Sequence, residues 1–115
     1  MMPDPKTLLP LTPAVFHILL ALAGDERHGY GIMQEVTALT DSESRIGPGT
    51  LYGTLKRIVA AGLVEECGDR PVPYFEDERR RYYRLTEWGR VVAEEEAKRL
   101  EILVNAARAK QFLKP

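Results

Sequence analysis

Residues 48–63 read PGTLYGTLKRIVAAGL, residues 64–67 read VEEC, and residues 79–89 read RRRYYRLTEWG. In the first stretch Leu51, Leu55, Ile58 and Val59 keep helical spacing. Pro48 suits the first helical turn, and Gly62 suits the residue just past the end. The other two stretches read as the strands of a ribbon whose return strand opens with arginines. A short helix followed by a basic ribbon is the order in which a winged helix meets DNA, one element in the major groove and the other along the backbone. The expected fold is therefore mainly α with a small two-stranded β-ribbon: a winged helix-turn-helix followed by a long C-terminal helix suited to dimerisation.

Working outward, Thr12 is placed to cap a helix with Pro13 at its first position, running to about residue 23. Val15, Leu19 and Leu22 share a face that Phe16, Ile18 and Leu20 widen, so this helix is expected to be mostly buried. Gly24 and Asp25 stop it. A second helix opens at His28-Gly29-Tyr30-Gly31 and carries Ile32, Val36 and Leu39 inward; Arg45-Ile46 reads as a short extended piece before the third helix. Residues 68–78, GDRPVPYFEDE, hold two prolines and five charged residues and read as a loop. Thr86 then caps a last helix reaching about residue 110, with Glu87 in its first turn. Residues 1–11 contain three prolines and no helical period, and read as an irregular arm. The organisation expected is an arm over 1–11, a winged helix-turn-helix over 12–86 and a dimerisation helix over 87–115.

The last helix carries Val92, Leu100, Leu103, Val104 and Ala107 as a stripe, with Ala93 and Ala97 filling its gap. The spacing 100, 103, 104, 107 is that of a coiled-coil seam. A helix of about 24 residues is about 36 Å long, more than so small a domain can cover. A second copy of the chain, related by a two-fold axis, is the expected partner.

Hydrophobic residues make up 44% of the 115-residue chain and charged residues 29%, ordinary for a single water-soluble domain. No apolar run approaches the ~18 residues of a membrane span, and the opening MMPDPKTLLPLTP has no positive patch before an apolar core, so it is not read as a signal peptide. Cys67 is the single cysteine, which excludes an intrachain disulfide and suits a reducing cytoplasm. The formal net charge is −1, but the charge is unevenly placed: Arg79, Arg80, Arg81 and Arg84 crowd the ribbon, while Glu94, Glu95 and Glu96 fall on the last helix.

Thr50, Tyr52, Gly53, Lys56 and Arg57 fall opposite the apolar face of the third helix. Lys56 and Arg57 can pair with phosphates or guanine edges, the hydroxyls of Thr50 and Tyr52 can bond phosphate, and Gly53 lets the backbone come close. The alternative for these residues is an ordinary solvated face. For Arg79, Arg80 and Arg81 the choice lies between wing contact with DNA and pairing with Glu65, Glu66, Glu76 and Asp77 across the hairpin; strand alternation splits them between the two. One of Tyr82 and Tyr83 should point into the core. Tyr30, Tyr74 and Trp88 are read first as packing residues, and His28 as a cap or packing group. His17, His28 and Cys67 lack the neighbours a metal site needs. No nucleophile accompanies Asp25, Glu26 and His28 in a reactive set, so neither an enzyme nor a cofactor is expected.

The chain resembles the PadR family of bacterial transcriptional regulators. The resemblance is carried by His28-Gly29-Tyr30-Gly31-Ile32, by Gly49-Thr50-Leu51-Tyr52 with Leu55, by Ala61-Gly62-Leu63-Val64, and by Arg81-Tyr82-Tyr83-Arg84-Leu85-Thr86 with Gly89. The single terminal helix is similar to that of the family's compact subgroup. The resemblance implies a cytoplasmic homodimer that represses transcription from a pseudo-palindromic operator in double-stranded DNA, with a small-molecule effector relieving repression. Trp88, Ala93, Ala97 and Leu100 are the residues expected near such an effector. The acidic insertion ending in Asp77 and Glu78 departs from the family's short basic wing tip, and would repel phosphate. Two other readings stand beside this one: a ligand-sensing module, and a winged helix used only for protein contact.

Overall fold

The computed structural model describes residues 3–72 and 75–114, with the backbone alone for 75–79. Element order is a 3₁₀ turn (Pro5–Leu8), α1 (Pro13–Ala21), β1 (Arg27–His28), α2 (Gly29–Leu39), α3 (Pro48–Ala60), β2 (Val64–Val72), β3 (Phe75–Leu85) and α4 (Glu87–Ala109). This is the winged-helix fold, mostly helical, with a small antiparallel sheet ordered β1-β3-β2.

Local chemistry sets the helix ends. The Thr12 hydroxyl accepts from Val15 N–H at 3.3 Å with Pro13 at the first position of α1. Helix α3 ends as its pattern requires: Gly62 adopts φ +77°, its N–H donates to Val59 O at 3.0 Å, and Leu63 N–H donates to Ile58 O at 3.0 Å. Thr86 caps α4 by accepting from Gly89 N–H at 2.9 Å and donates its own hydroxyl to Gly62 O at 2.6 Å. One residue thus ties the end of α3 to the start of α4. A Cβ on Gly89 would lie 2.0 Å from Leu63 O, so only glycine permits this approach.

The core joins Ile18, Leu19 and Leu22 of α1, Ile32 and Val36 of α2, and Leu51, Leu55 and Ile58 of α3 with Leu63, Val64, Tyr83 and Val92. Of the tyrosine pair on β3, Tyr83 is the buried one. Trp88 packs partly buried against this cluster. Tyr30 does not: it is 58% exposed, contrary to its reading as a packing residue, because α2 turns it away from Ile32 and Val36.

Three expectations need correction. The stretch 68–78 is largely strand, since β2 continues to Val72 and β3 starts at Phe75. Pro71 is tolerated because β2 is an edge strand, and the ladder shifts between Glu66 and Asp69, where Gly68 has φ +111°. The ribbon also gains a third strand: Arg27 and His28 pair with Tyr83 and Tyr82. Finally, the arm is ordered. Asp4 caps the 3₁₀ turn, and Leu11 N–H donates to Glu96 Oε2 at 2.6 Å, fastening the segment to α4. The expectations for Tyr74 and for the side chains of Glu76, Asp77, Glu78 and Arg79 lie outside the described residues.

Candidate nucleic-acid interface

Helix α3 divides cleanly. Leu51, Thr54, Leu55 and Ile58 are buried, whereas Thr50, Tyr52, Gly53, Lys56 and Arg57 are exposed. The guanidinium of Arg57 donates to Thr54 Oγ1 at 3.3 Å, which holds its base on the helix while its charge stays in solvent. A Cβ built on Gly53 meets nothing within 4 Å. The protein's own packing therefore does not explain glycine at this position.

The tyrosine that heads this face is positioned by α2. A Cβ on Gly29 would fall 2.3 Å from the Tyr52 hydroxyl, so the absent side chain lets Tyr52 lie against the α2 backbone. Beside it opens a cleft of about 420 Å³ between the start of α2, the start of α3 and the sheet, lined by His28, Tyr30, Tyr52 and Arg80 among others. A second hollow of about 300 Å³ continues along α3, bordered by Lys56, Val59, Glu66 and Arg81.

On the hairpin, the arginines do not share one environment. Arg81 lies 3.5 Å from Glu66 and 3.7 Å from Asp69; Arg84 lies 2.6 Å from Glu65 and 4.0 Å from Glu26. These pairs are about half exposed, so water competes with each and an incoming phosphate can replace the carboxylate. Arg70 pairs with Glu26 and stacks 4.2 Å over the Tyr82 ring. The hydrogen bond from Arg70, outweighing what burial adds, holds the Glu26 carboxyl below its ordinary range. Arg80 differs: among the described residues it meets no carboxylate, and its Nη1 lies 3.0 Å from His28 Nε2. Pairing across the hairpin and an available cation are both present, as strand alternation required. The structure brings His28 and Tyr30 into this region as well. The HGYG motif was the available signal, but the pairing of β1 with β3 that places it there could not be read from a two-residue strand.

Residues 18–95 match the Transcriptional regulator PadR-like family. The chain belongs to the PadR-like family. It is 40% identical over 89 residues to a transcriptional regulator of Mycobacterium tuberculosis, covering 77% of each. It also matches an uncharacterized 37.1 kDa protein of a Streptomyces fradiae transposon, 40% identical over 80 residues. That match covers 70% of this chain but spans only 21% of the transposon protein. A transcriptional regulator from Clostridium thermocellum superposes with TM-score 0.68 at 26% identity, covering 88% of this chain and 90% of that one. A PadR family regulator from Clostridium difficile shares the fold, with TM-score 0.71 at 22% identity and coverage of 87% and 99%. This PadR-like chain is thus a transcriptional regulator of a family that is not enzymatic.

The terminal helix of the PadR-like chain redistributes the expected stripe. Val92 is fully buried in the chain's own core, which removes it from the residues available to a partner. Ala93 packs partly against that core. Further along, Ala97 is exposed, Leu100 and Ala107 are half-buried, Leu103 is 53% exposed and Val104 38%. Ile102 and Phe112 extend the apolar surface, at 70% and 82% exposed. The proposed effector group is also divided. Ala93 and Ala97 border a hollow of about 150 Å³ against Phe16 and Leu20 of α1. Trp88 lies instead over the end of α3, where a Cβ on Gly62 would meet its ring at 3.9 Å. No helix among the described residues is long and apolar enough to cross a membrane.

Proposed function

We propose that this PadR-like chain acts as a homodimer that binds a pseudo-palindromic operator in double-stranded DNA and represses transcription. The observation that carries this reading is the division of α3. Its apolar face is consumed by the core, and its outward face offers Thr50, Tyr52, Gly53, Lys56 and Arg57 next to an arginine-bearing hairpin. In this reading α3 enters the major groove, and Arg79, Arg80 and Arg81 follow the backbone beside it. Dimerisation is supported by the uncovered apolar residues Leu100, Leu103, Val104 and Ala107, and two copies joined there would address half-sites about 34 Å apart or a multiple of that. A chain that acts on DNA in this way works in the cytoplasm.

Effector release belongs to the same reading. The hollow beside Ala93 and Ala97 is smaller than the ~300 Å³ a drug-sized ligand requires, so an effector would need a second copy to complete its site. It would act by favouring a dimer whose α3 spacing does not match the operator.

Substituting Lys56→Ala and Arg57→Ala tests the assignment. Each should weaken operator binding and lower the log–log salt slope by about 0.9, with sedimentation still reporting a dimer. Unchanged affinity in both variants would remove this face and leave the protein-contact reading in its place.

A further inference from the structure

His28 closes β1 and opens α2, and its ring is claimed twice. Nδ1 accepts from Gly31 N–H at 3.1 Å, the bond that caps α2. Nε2 lies 3.0 Å from Arg80 Nη1. The Tyr82 ring meets the imidazole edge-on at 5.3 Å and 89°, which fixes its plane. A neutral imidazole has one lone pair, and a guanidinium only donates. Two N–H groups therefore converge on one acceptor, and one of them must go without.

The helix decides which. Gly31 N–H is fixed by the backbone of α2, whereas Arg80 ends a long, half-buried side chain beside the cleft. The lone pair stays at Nδ1 and the hydrogen at Nε2. His28 Nε2–H and the Arg80 guanidinium then point at each other with no acceptor between them. Protonating the ring would add a charge beside Arg80 and break the cap. Burial first, and Arg80 second, accordingly hold the His28 pKa below its ordinary value. The one carboxylate lining the cleft among the described residues, Asp69, pairs with Arg81 and leaves this point to a ligand. An anionic oxygen placed between the two donors would satisfy both.

We propose that His28 and Arg80 together hold one backbone phosphate of DNA, His28 through Nε2–H and Arg80 through its guanidinium. The inference rests on the DNA-binding reading and adds to it a neutral donor from α2, on the far side of the cleft from the charged contacts of α3. DNA is the occupant, rather than a free anion, because Tyr52 and Arg81 border the same cleft and belong to the two elements proposed to follow the duplex.

The test is His28→Asn in the full-length protein, with His28→Ser as a second cap-preserving variant. Both side chains can still cap α2, and neither reaches the Nε2 position. With the fold verified by circular dichroism, operator affinity should fall about fivefold to tenfold with little change in salt slope. Arg80→Gln should weaken binding and lower the slope by about 0.9. On the Arg80→Gln background, His28→Asn should cost much less than it does alone. Wild-type affinity in the folded His28 variants would overturn the proposal, leaving His28 as a cap only; so would strict additivity, which means separate contacts. Inorganic phosphate perturbing the His28 imidazole NMR signal while His28→Asn binds DNA normally would assign the pair to a free anion and overturn it too. A wild-type protein with no salt-dependent DNA affinity would refute the DNA-binding reading itself, a distinct result.

Discussion

Replacing Glu96 by alanine should unfasten the N-terminal segment from α4 and cost about 3 kcal/mol of stability. Glu96 is 1% exposed, a carboxylate inside the fold. Its Oε2 accepts from Leu11 N–H at 2.6 Å, and its other oxygen is held by Arg99 one turn along. Truncation leaves the Leu11 amide without an acceptor, a loss of about 1.5–3 kcal/mol for a bond to a charged group. Arg99 is 36% exposed and can return to water, so losing its partner adds only about 0.5 kcal/mol. The vacated volume contributes the rest. Glu96→Gln retains an acceptor for Leu11 and should cost about 1 kcal/mol. Urea unfolding at matched slope would measure both, and limited proteolysis ahead of Leu11 would report release of the segment. An alanine variant within about 0.5 kcal/mol of wild type would refute this, as would equal costs for alanine and glutamine.

Burial pushes the Glu96 pKa up, but the hydrogen bonds from Arg99 and the Leu11 amide outweigh it, and the net shift is below the ordinary value of 4.5. A depressed carboxylate contributes stability that is present above its unfolded pKa and is lost as pH falls through the folded one. Stability should therefore decline below about pH 4.5, and less steeply in Glu96→Gln, as followed by urea midpoints across pH. Gly53→Ala should raise stability by about 0.5–1 kcal/mol, since the site is open helix interior, and yet weaken operator binding if DNA approaches the backbone there. Gly29→Ala should lower the melting temperature by displacing Tyr52, with partial relief in a Gly29→Ala, Tyr52→Phe double variant. Leu103→Asp, on a half-exposed position of α4, should convert a dimer to a monomer in sedimentation without loss of helicity.

Much of this was legible in the chain because its punctuation is local. Thr12 with Pro13, Gly62, and Thr86 with Glu87 each set an element end through chemistry within a few residues, and the period of Leu51, Leu55 and Ile58 placed the buried face of α3. The failures are non-local. Pro71 argued for a loop because whether β2 is an edge strand depends on the whole sheet. Ordering of the arm depends on Glu96, 85 residues from Leu11, whose carboxylate read as one of three solvated glutamates. Val92 looked like the start of an interface stripe, yet α4 begins inside the core and leaves it only further along. At the candidate interface, the face of α3 followed from periodicity. The convergence of His28 and Arg80 did not, since it needs the register of β1 on β3.

A fluorescence-anisotropy titration against the intergenic DNA upstream of the protein's own gene, with a scrambled duplex of equal length, at two salt concentrations, bears most directly on regulation through DNA. Binding should be tighter to the native duplex and weaken with a log–log salt slope of about −5 to −7, the signature of three or four neutralised phosphates per subunit in a dimer. Equal, weak binding to both duplexes with a shallow slope would contradict sequence-specific binding there, and would point to the hairpin as a surface for another protein.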